Sequence, residues 1–124
     1  MSGQVSWRVE LAVKPGQLNN FRTLTNEMVQ STRRESGVLS YERFVSEDGE
    51  YIHAHEQFAD SAAALAHLET FERAFRDRFL RLVERRRFVV FGTPTKELRR
   101  VLDRLGALYL RPFGDIAYWA NAGL

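Results

Sequence analysis

Residues 38–58 read VLSYERFVSEDGEYIHAHEQF, and this stretch decides the fold. Val38, Tyr41, Phe44 and Val45 mark one extended run over 38–46, and Tyr51, Ile52, Ala54 and Phe58 mark a second over 51–58. Between them Glu47-Asp48-Gly49-Glu50 is polar and contains Asp-Gly, whose glycine enters the left-handed region that a short hairpin connection needs. A β-hairpin is therefore predicted.

Upstream, Val5, Trp7, Val9, Leu11 and Val13 alternate with Ser6, Arg8, Glu10 and Ala12, the period of a half-buried strand. Lys14-Pro15-Gly16 ends it. From Gln17 to Glu35, Leu18, Phe21, Leu24, Met28 and Val29 fall at helical spacing, and Gly37 suits a helix C-cap. Downstream, Asp60 and Ser61 can cap a helix rich in Ala and Leu, whose pattern continues through Phe71, Phe75, Phe79, Leu82 and Val83. One helix over 60–84 and two helices meeting near Thr70 both fit that pattern. Arg87-Phe88-Val89-Val90-Phe91 reads as a buried strand closed by Gly92-Thr93-Pro94. Thr95 then caps a short amphipathic helix that Gly106 ends, and residues 107–119 read as extended segments broken at Pro112-Phe113-Gly114.

The order strand–helix–strand, twice over, is the α+β ferredoxin-like plan βαββαβ: an antiparallel sheet with its helices on one face. A helix–strand extension follows. Such a sheet leaves its second face uncovered, so a homodimer is expected. With 124 residues the chain reads as one domain, its core at about 5–91 and its extension at about 92–124.

Composition narrows the chemistry. The chain has no cysteine, which excludes disulfides, iron–sulfur clusters, thiolate zinc sites and a cysteine nucleophile. Apolar runs are far shorter than the roughly 20 residues that span a bilayer, and Met1-Ser2-Gly3-Gln4 lacks the pattern of a signal peptide. A cytoplasmic protein with no membrane partner is expected. Of 18 basic residues only Lys14 and Lys96 are lysines, and 16 acids leave a net charge of +2. Arg85-Arg86-Arg87, preceded by Arg73, Arg76, Arg78 and Arg81, is the densest basic segment. Glu72–Arg76, Arg73–Asp77 and Asp77–Arg81 stand four apart, as helical ion pairs do, so a solvated face is expected in place of nucleic-acid binding.

His53 and His55 share one face of the third strand, with Glu56 on the other. A metal reading needs a third converging ligand, so none is expected, and half-exposed strand histidines are the plainer reading. Ser61 lacks a nucleophile elbow, and Gly92 and Gly114 stand alone, so neither a serine nucleophile nor a phosphate cradle is present. Phe71, Phe75 and Phe79 form a stripe of core type. With Trp7, Tyr41, Phe44 and Tyr51 they would give an apolar, aromatic pocket for a flat ligand.

Pro15-Gly16 followed by Phe21, and Glu35-Ser36-Gly37-Val38-Leu39-Ser40-Tyr41, resemble the antibiotic biosynthesis monooxygenase family. So do Glu56, Phe58, Asp60, Ala64-Leu65 and His67 in that order. The resemblance covers about 5–91, and Phe91-Gly92-Thr93-Pro94 is similar to longer members. It implies a dimeric α+β barrel that oxidises a quinol or polycyclic, polyketide-like phenol with dioxygen and without a cofactor. Under it, His67 is the first candidate base or hydrogen-bond partner, with His53, His55 and Glu56 behind it. Trp7, Tyr41, Phe58 and Phe75 become substrate-binding walls. Members often carry Trp at Phe58, Pro at Ser36 and a histidine near Glu72, and the asparagine of haem-degrading relatives has no counterpart here. The alternative reading is a non-catalytic aromatic-ligand-binding or stress-related dimer, with Glu56 and His67 simply pairing across strand and helix.

Overall fold

The computed structural model describes residues 3–114. Strand β1 (Val5–Val13) buries Val5, Trp7, Val9 and Leu11 on one side, as the alternation requires. After a turn at Pro15-Gly16, helix α1 (Leu18–Thr32) sets Phe21, Leu24 and Met28 against that face. Each such side chain contributes roughly 1.5–3 kcal/mol by leaving water. The helix ends earlier than expected, at Thr32, and further turns carry the chain to Gly37. Gly37 is therefore not its cap. It has φ +83°, and a Cβ there would lie 2.6 Å from the Ala63 Cβ, so glycine lets the chain pass beneath the following helix.

The hairpin joins β2 (Val38–Val45) to β3 (Tyr51–Phe58). Asp48 Oδ1 accepts from Ser46 Oγ at 2.7 Å and from the Glu50 amide at 2.9 Å, and Gly49 has positive φ, so the turn forms as the sequence implies. The stretch with two possible readings is two helices. Helix α2 (Ser61–Ala74) is capped by Asp60, whose side chain accepts from the Ala63 amide, and α3 (Arg76–Leu82) follows a break at Phe75. Of the three expected ion pairs, Glu72–Arg76 forms at 3.3 Å. Asp77 lies instead beside Arg76, its immediate neighbour.

Strand β4 (Val83–Gly92) begins four residues before the expected Arg87, because Val83 enters the ladder opposite Val13 instead of closing the helix. Helix α4 (Lys96–Arg104) starts at Thr95, whose hydroxyl accepts from the Leu98 amide, and buries Leu98 and Leu102. Strand β5 (Leu108–Leu110) then pairs in parallel with β4. The expected extended segments beyond Gly114 lie outside the described residues.

The sheet order is β2-β3-β1-β4-β5. The first four strands have the antiparallel ferredoxin-like arrangement, and β5 makes the whole a five-stranded mixed sheet. The helices lie on one face. The other carries Phe44, Tyr51, His53 and His55 together with Leu108 and Leu110, all exposed. No helix among the described residues is long and apolar enough to cross a membrane.

Candidate functional site

The alternation of β3 points Ile52, Ala54, Glu56 and Phe58 inward, which buries a carboxylate within an apolar layer. An ionised carboxylate survives there only with partners. Trp7, opposite Glu56 on β1, donates its Nε1–H to Glu56 Oε1 at 2.8 Å. Arg43, two residues beyond Tyr41 on the same face of β2, donates to Glu56 Oε2 at 2.5 Å. From α2, His67 brings Nε2 to 3.3 Å from Glu56 Oε1, so the strand–helix pairing anticipated from the sequence exists. The other ring nitrogen, Nδ1, lies 2.9 Å from Glu35 Oε1, just beyond the end of α1.

His67 thus sits between two carboxylates. Burial favours its neutral ring, yet hydrogen bonds and attraction from Glu56 and Glu35 outweigh that effect and raise its pKa above the ordinary 6.5. Burial likewise opposes the charge on Glu56. Arg43, His67 and Trp7 reverse this and hold the carboxyl well below the usual carboxylate range. With its ring protonated, His67 joins Arg43 in facing the two carboxylates. Tyr41 closes the network: its ring lies 3.5 Å beneath the Arg43 guanidinium and 5.4 Å from the His67 ring, and burial pushes its hydroxyl up to about 12. Among the described residues every buried side-chain nitrogen and oxygen has a hydrogen-bond partner.

Beside the network lies an inner cavity of about 50 Å³. Arg43, Glu56 and His67 form its polar edge, and Trp7, Phe71 and Phe88 are among its aromatic walls. This space admits molecules the size of water. Leu68, Glu72, Arg85, Val101 and Leu105 separate it from an outer groove of about 770 Å³ between α2, α3 and α4. That volume is within the range of small-molecule sites, roughly 300–1,000 Å³.

Trp7, Tyr41, Glu56 and His67 are therefore brought together. Phe58 packs on Trp7 and His67, with centroids 4.6 and 5.2 Å away, without lining the cavity. Phe75 lies elsewhere, at the α2–α3 break against the outer side of α1. His53 and His55 occupy the opposite face of the sheet, where they pair in register with Glu10 and Arg8 of β1. A two-residue period makes this unavoidable, because placing Glu56 inward sends His55 outward. Among the described residues no three histidine or carboxylate side chains are grouped to hold a metal ion. Arg43, Glu35 and Arg85 were not expected at the site. For Arg43 a signal existed, in its phase with Tyr41.

The chain matches the family model for antibiotic biosynthesis monooxygenase over residues 5–85. Comparison with curated protein sequences gave no significant match. Among solved structures it is similar to MupZ from Pseudomonas fluorescens, with a TM-score of 0.86 at 18% identity, covering 99% of this chain and 95% of that one. SnoaB from Streptomyces nogalater, a cofactor-independent oxygenase, aligns with a TM-score of 0.64 at 14% identity, covering 77% and 97%. Rv0793 from Mycobacterium tuberculosis gives 0.62 at 21% identity, covering 75% and 97%. These likenesses concern the fold, and the MupZ alignment takes in α4 and β5 as well as the ferredoxin-like part.

Proposed function

The chain belongs to the antibiotic biosynthesis monooxygenase family, and on that footing we propose that it oxidises a quinol or polycyclic phenol with dioxygen and without a cofactor. The observation that carries this reading is the buried Trp7–Glu56–Arg43–His67 network at the edge of an aromatic cavity. The cofactor-independent description of SnoaB agrees with it.

An ionised quinol can itself give an electron to dioxygen, so the protein must ionise, desolvate and orient the ring. A phenol of pKa near 10 needs about 4 kcal/mol of anion stabilisation to ionise at neutral pH. Two hydrogen bonds from charged donors, about 1.5–3 kcal/mol each, are sufficient. Arg43, whose guanidinium carries five N–H donors, can supply them at the cavity edge, and His67 lies beside it. Because both ring nitrogens of His67 already face carboxylates, it holds no N–H free for the quinolate and acts by its positive charge beside the anion and by orienting Glu56, and the quinol proton leaves through the groove. The inner cavity holds dioxygen, and the quinol lies in the outer groove with its reacting edge displacing Val101 and Leu105.

Menadiol tests this reading. Monooxygenation gives 2-hydroxy-3-methyl-1,4-naphthoquinone and water: a ring C–H becomes C–OH, both phenolic hydrogens leave, and the quinol supplies all four electrons. Autoxidation gives menadione and hydrogen peroxide instead. With ¹⁸O₂, one labelled atom should enter the ring and the other should appear in water. The H67Q variant should lose this product, and the doubly substituted H53Q/H55Q variant should keep it. Hydroxyquinone no faster than the protein-free control would remove the enzyme reading and leave the aromatic-ligand-binding one. We propose further that a second copy of the chain covers the open sheet face; a monomer mass by sedimentation at micromolar concentration would contradict this.

A further inference from the structure

The outer groove carries an arrangement of charge that the oxidation does not use. Several arginines have carboxylate partners. Arg43 holds Glu56, Arg78 forks onto Glu27 through two 2.8 Å contacts, Arg76 meets Glu72 at 3.3 Å and Arg86 meets Glu84 at 3.3 Å. Arg73, Arg85 and Arg104 have no hydrogen-bonding or ion-pair partner among the described residues, and all three line the groove. Against four arginines, counting Arg76, the groove sets the two carboxylates Glu69 and Glu72.

Arg85 stands out because it is half-buried. Its inward direction comes from a β-bulge. Glu10 pairs with Arg87 and Leu11 with Arg85, so Arg86 is the extra residue, and Arg85 shares the inward face of Leu11. The bulge thus places a guanidinium at the boundary between inner cavity and groove, where an unbroken strand would not keep both Arg85 and Phe88 on that face. Burial lowers its pKa, with Glu72 opposing and Arg76 adding to the effect. A partly desolvated guanidinium with Glu72 nearby but no carboxylate in hydrogen-bond contact is suited to a planar two-oxygen acceptor.

We propose that the groove binds the carboxylate of an aromatic acid, with Arg85 as its principal contact and Arg73 and Arg104 as flanking cations. The ligand class is an aromatic ring system bearing a carboxylate on the edge away from the inner cavity. This deepens the reading of the cleft as a ligand site by assigning the substrate's second recognition element.

The test is binding without turnover, which separates it from the oxidation. Anthracene-2-carboxylate and its neutral carboxamide are titrated by fluorescence anisotropy into the full chain, under nitrogen. The acid should bind about tenfold tighter than the amide, the ratio expected of one charge-assisted contact. R85Q should bring the ratio close to one while the amide affinity stays unchanged. R86Q, altering the neighbouring arginine paired with Glu84, should preserve the ratio. E72Q, removing a competing carboxylate, should increase it, and this variant keeps the proposal testable if R85Q does not fold. Equal binding of acid and amide, binding of neither, or an acid preference that survives R85Q would overturn the proposal. Acid preference without hydroxyquinone formation would sink the oxidation alone.

Discussion

Replacing Glu56 by glutamine tests the network at its centre. The substitution preserves shape and removes one charge. In the native chain Glu56 accepts from Trp7 at 2.8 Å and from Arg43 at 2.5 Å, and faces His67 at 3.3 Å. Glutamine keeps one acceptor oxygen and introduces an NH₂ group that meets either a guanidinium or an imidazole N–H, donor against donor. Removing one partner of a buried ion pair typically costs about 3–5 kcal/mol, because the remaining charge is left uncompensated. Here His67 can lose its proton and accept from the new amide, which reduces the cost to about 2–4 kcal/mol. At roughly 4 °C per kcal/mol for a domain of this size, melting should fall by about 8–16 °C. Two measurements decide the matter: thermal unfolding at pH 7, and the His67 titration followed by NMR of its ring nitrogens. Glu56 raises the His67 pKa by hydrogen bond and by charge, so its removal must shift the titration downward. A variant as stable as wild type, or a His67 titration that does not move, would refute the account of the network.

Two further predictions concern stability. His67 has a raised pKa in the folded chain, so its contribution is complete below about pH 6.5 and is lost as pH rises through the folded value; Glu56 is depressed, so its contribution is complete above about pH 4.5 and is lost as pH falls. Stability measured by urea unfolding should therefore be highest between those values, and H67Q should flatten the alkaline decline; an unchanged alkaline limb in H67Q would contradict the assignment. Gly37→Ala should destabilise by about 2–4 kcal/mol, from its left-handed backbone and the 2.6 Å approach to Ala63, whereas Gly16→Ala, with φ +75° and nothing within 4 Å, should lose only about 1 kcal/mol; equal losses would show that the close approach relaxes freely.

Much of the fold was legible because it rests on periods. Alternation in β1, the Asp-Gly turn and the Phe21–Leu24–Met28 stripe are local signals, and each element formed where they placed it. Boundaries were less legible where local propensity and tertiary contact compete. Val83 continues a helical stripe in the sequence, but a strand partner opposite Val13 was available and won. Thr32 ends α1 although helix-compatible residues follow, since the chain must turn to pass Gly37 beneath Ala63.

The site divides along the same line. Glu56 and Tyr41 follow from strand phase, and once Glu56 points inward the exclusion of His53 and His55 follows from the same arithmetic. His67 and Glu35 belong to segments 32 residues apart in the chain, and no period relates them; only the packing of α2 against the end of α1 brings them to 2.9 Å. Arg85 is the extreme case. In the sequence it is one of three consecutive arginines, and a regular strand treats the run as a charged, solvent-facing end. A single inserted residue at the bulge divides the three, sending Arg85 to the cavity side and leaving Arg86 paired with Glu84 in the open. Strand irregularities set side-chain direction without marking composition, so a residue they redirect is found only when the ladder is traced. Its desolvation gives the consequence. Arg85 is half-buried with no carboxylate in hydrogen-bond contact, so an aromatic acid that supplies the missing oxygens should raise the melting temperature of the wild-type chain more than that of R85Q.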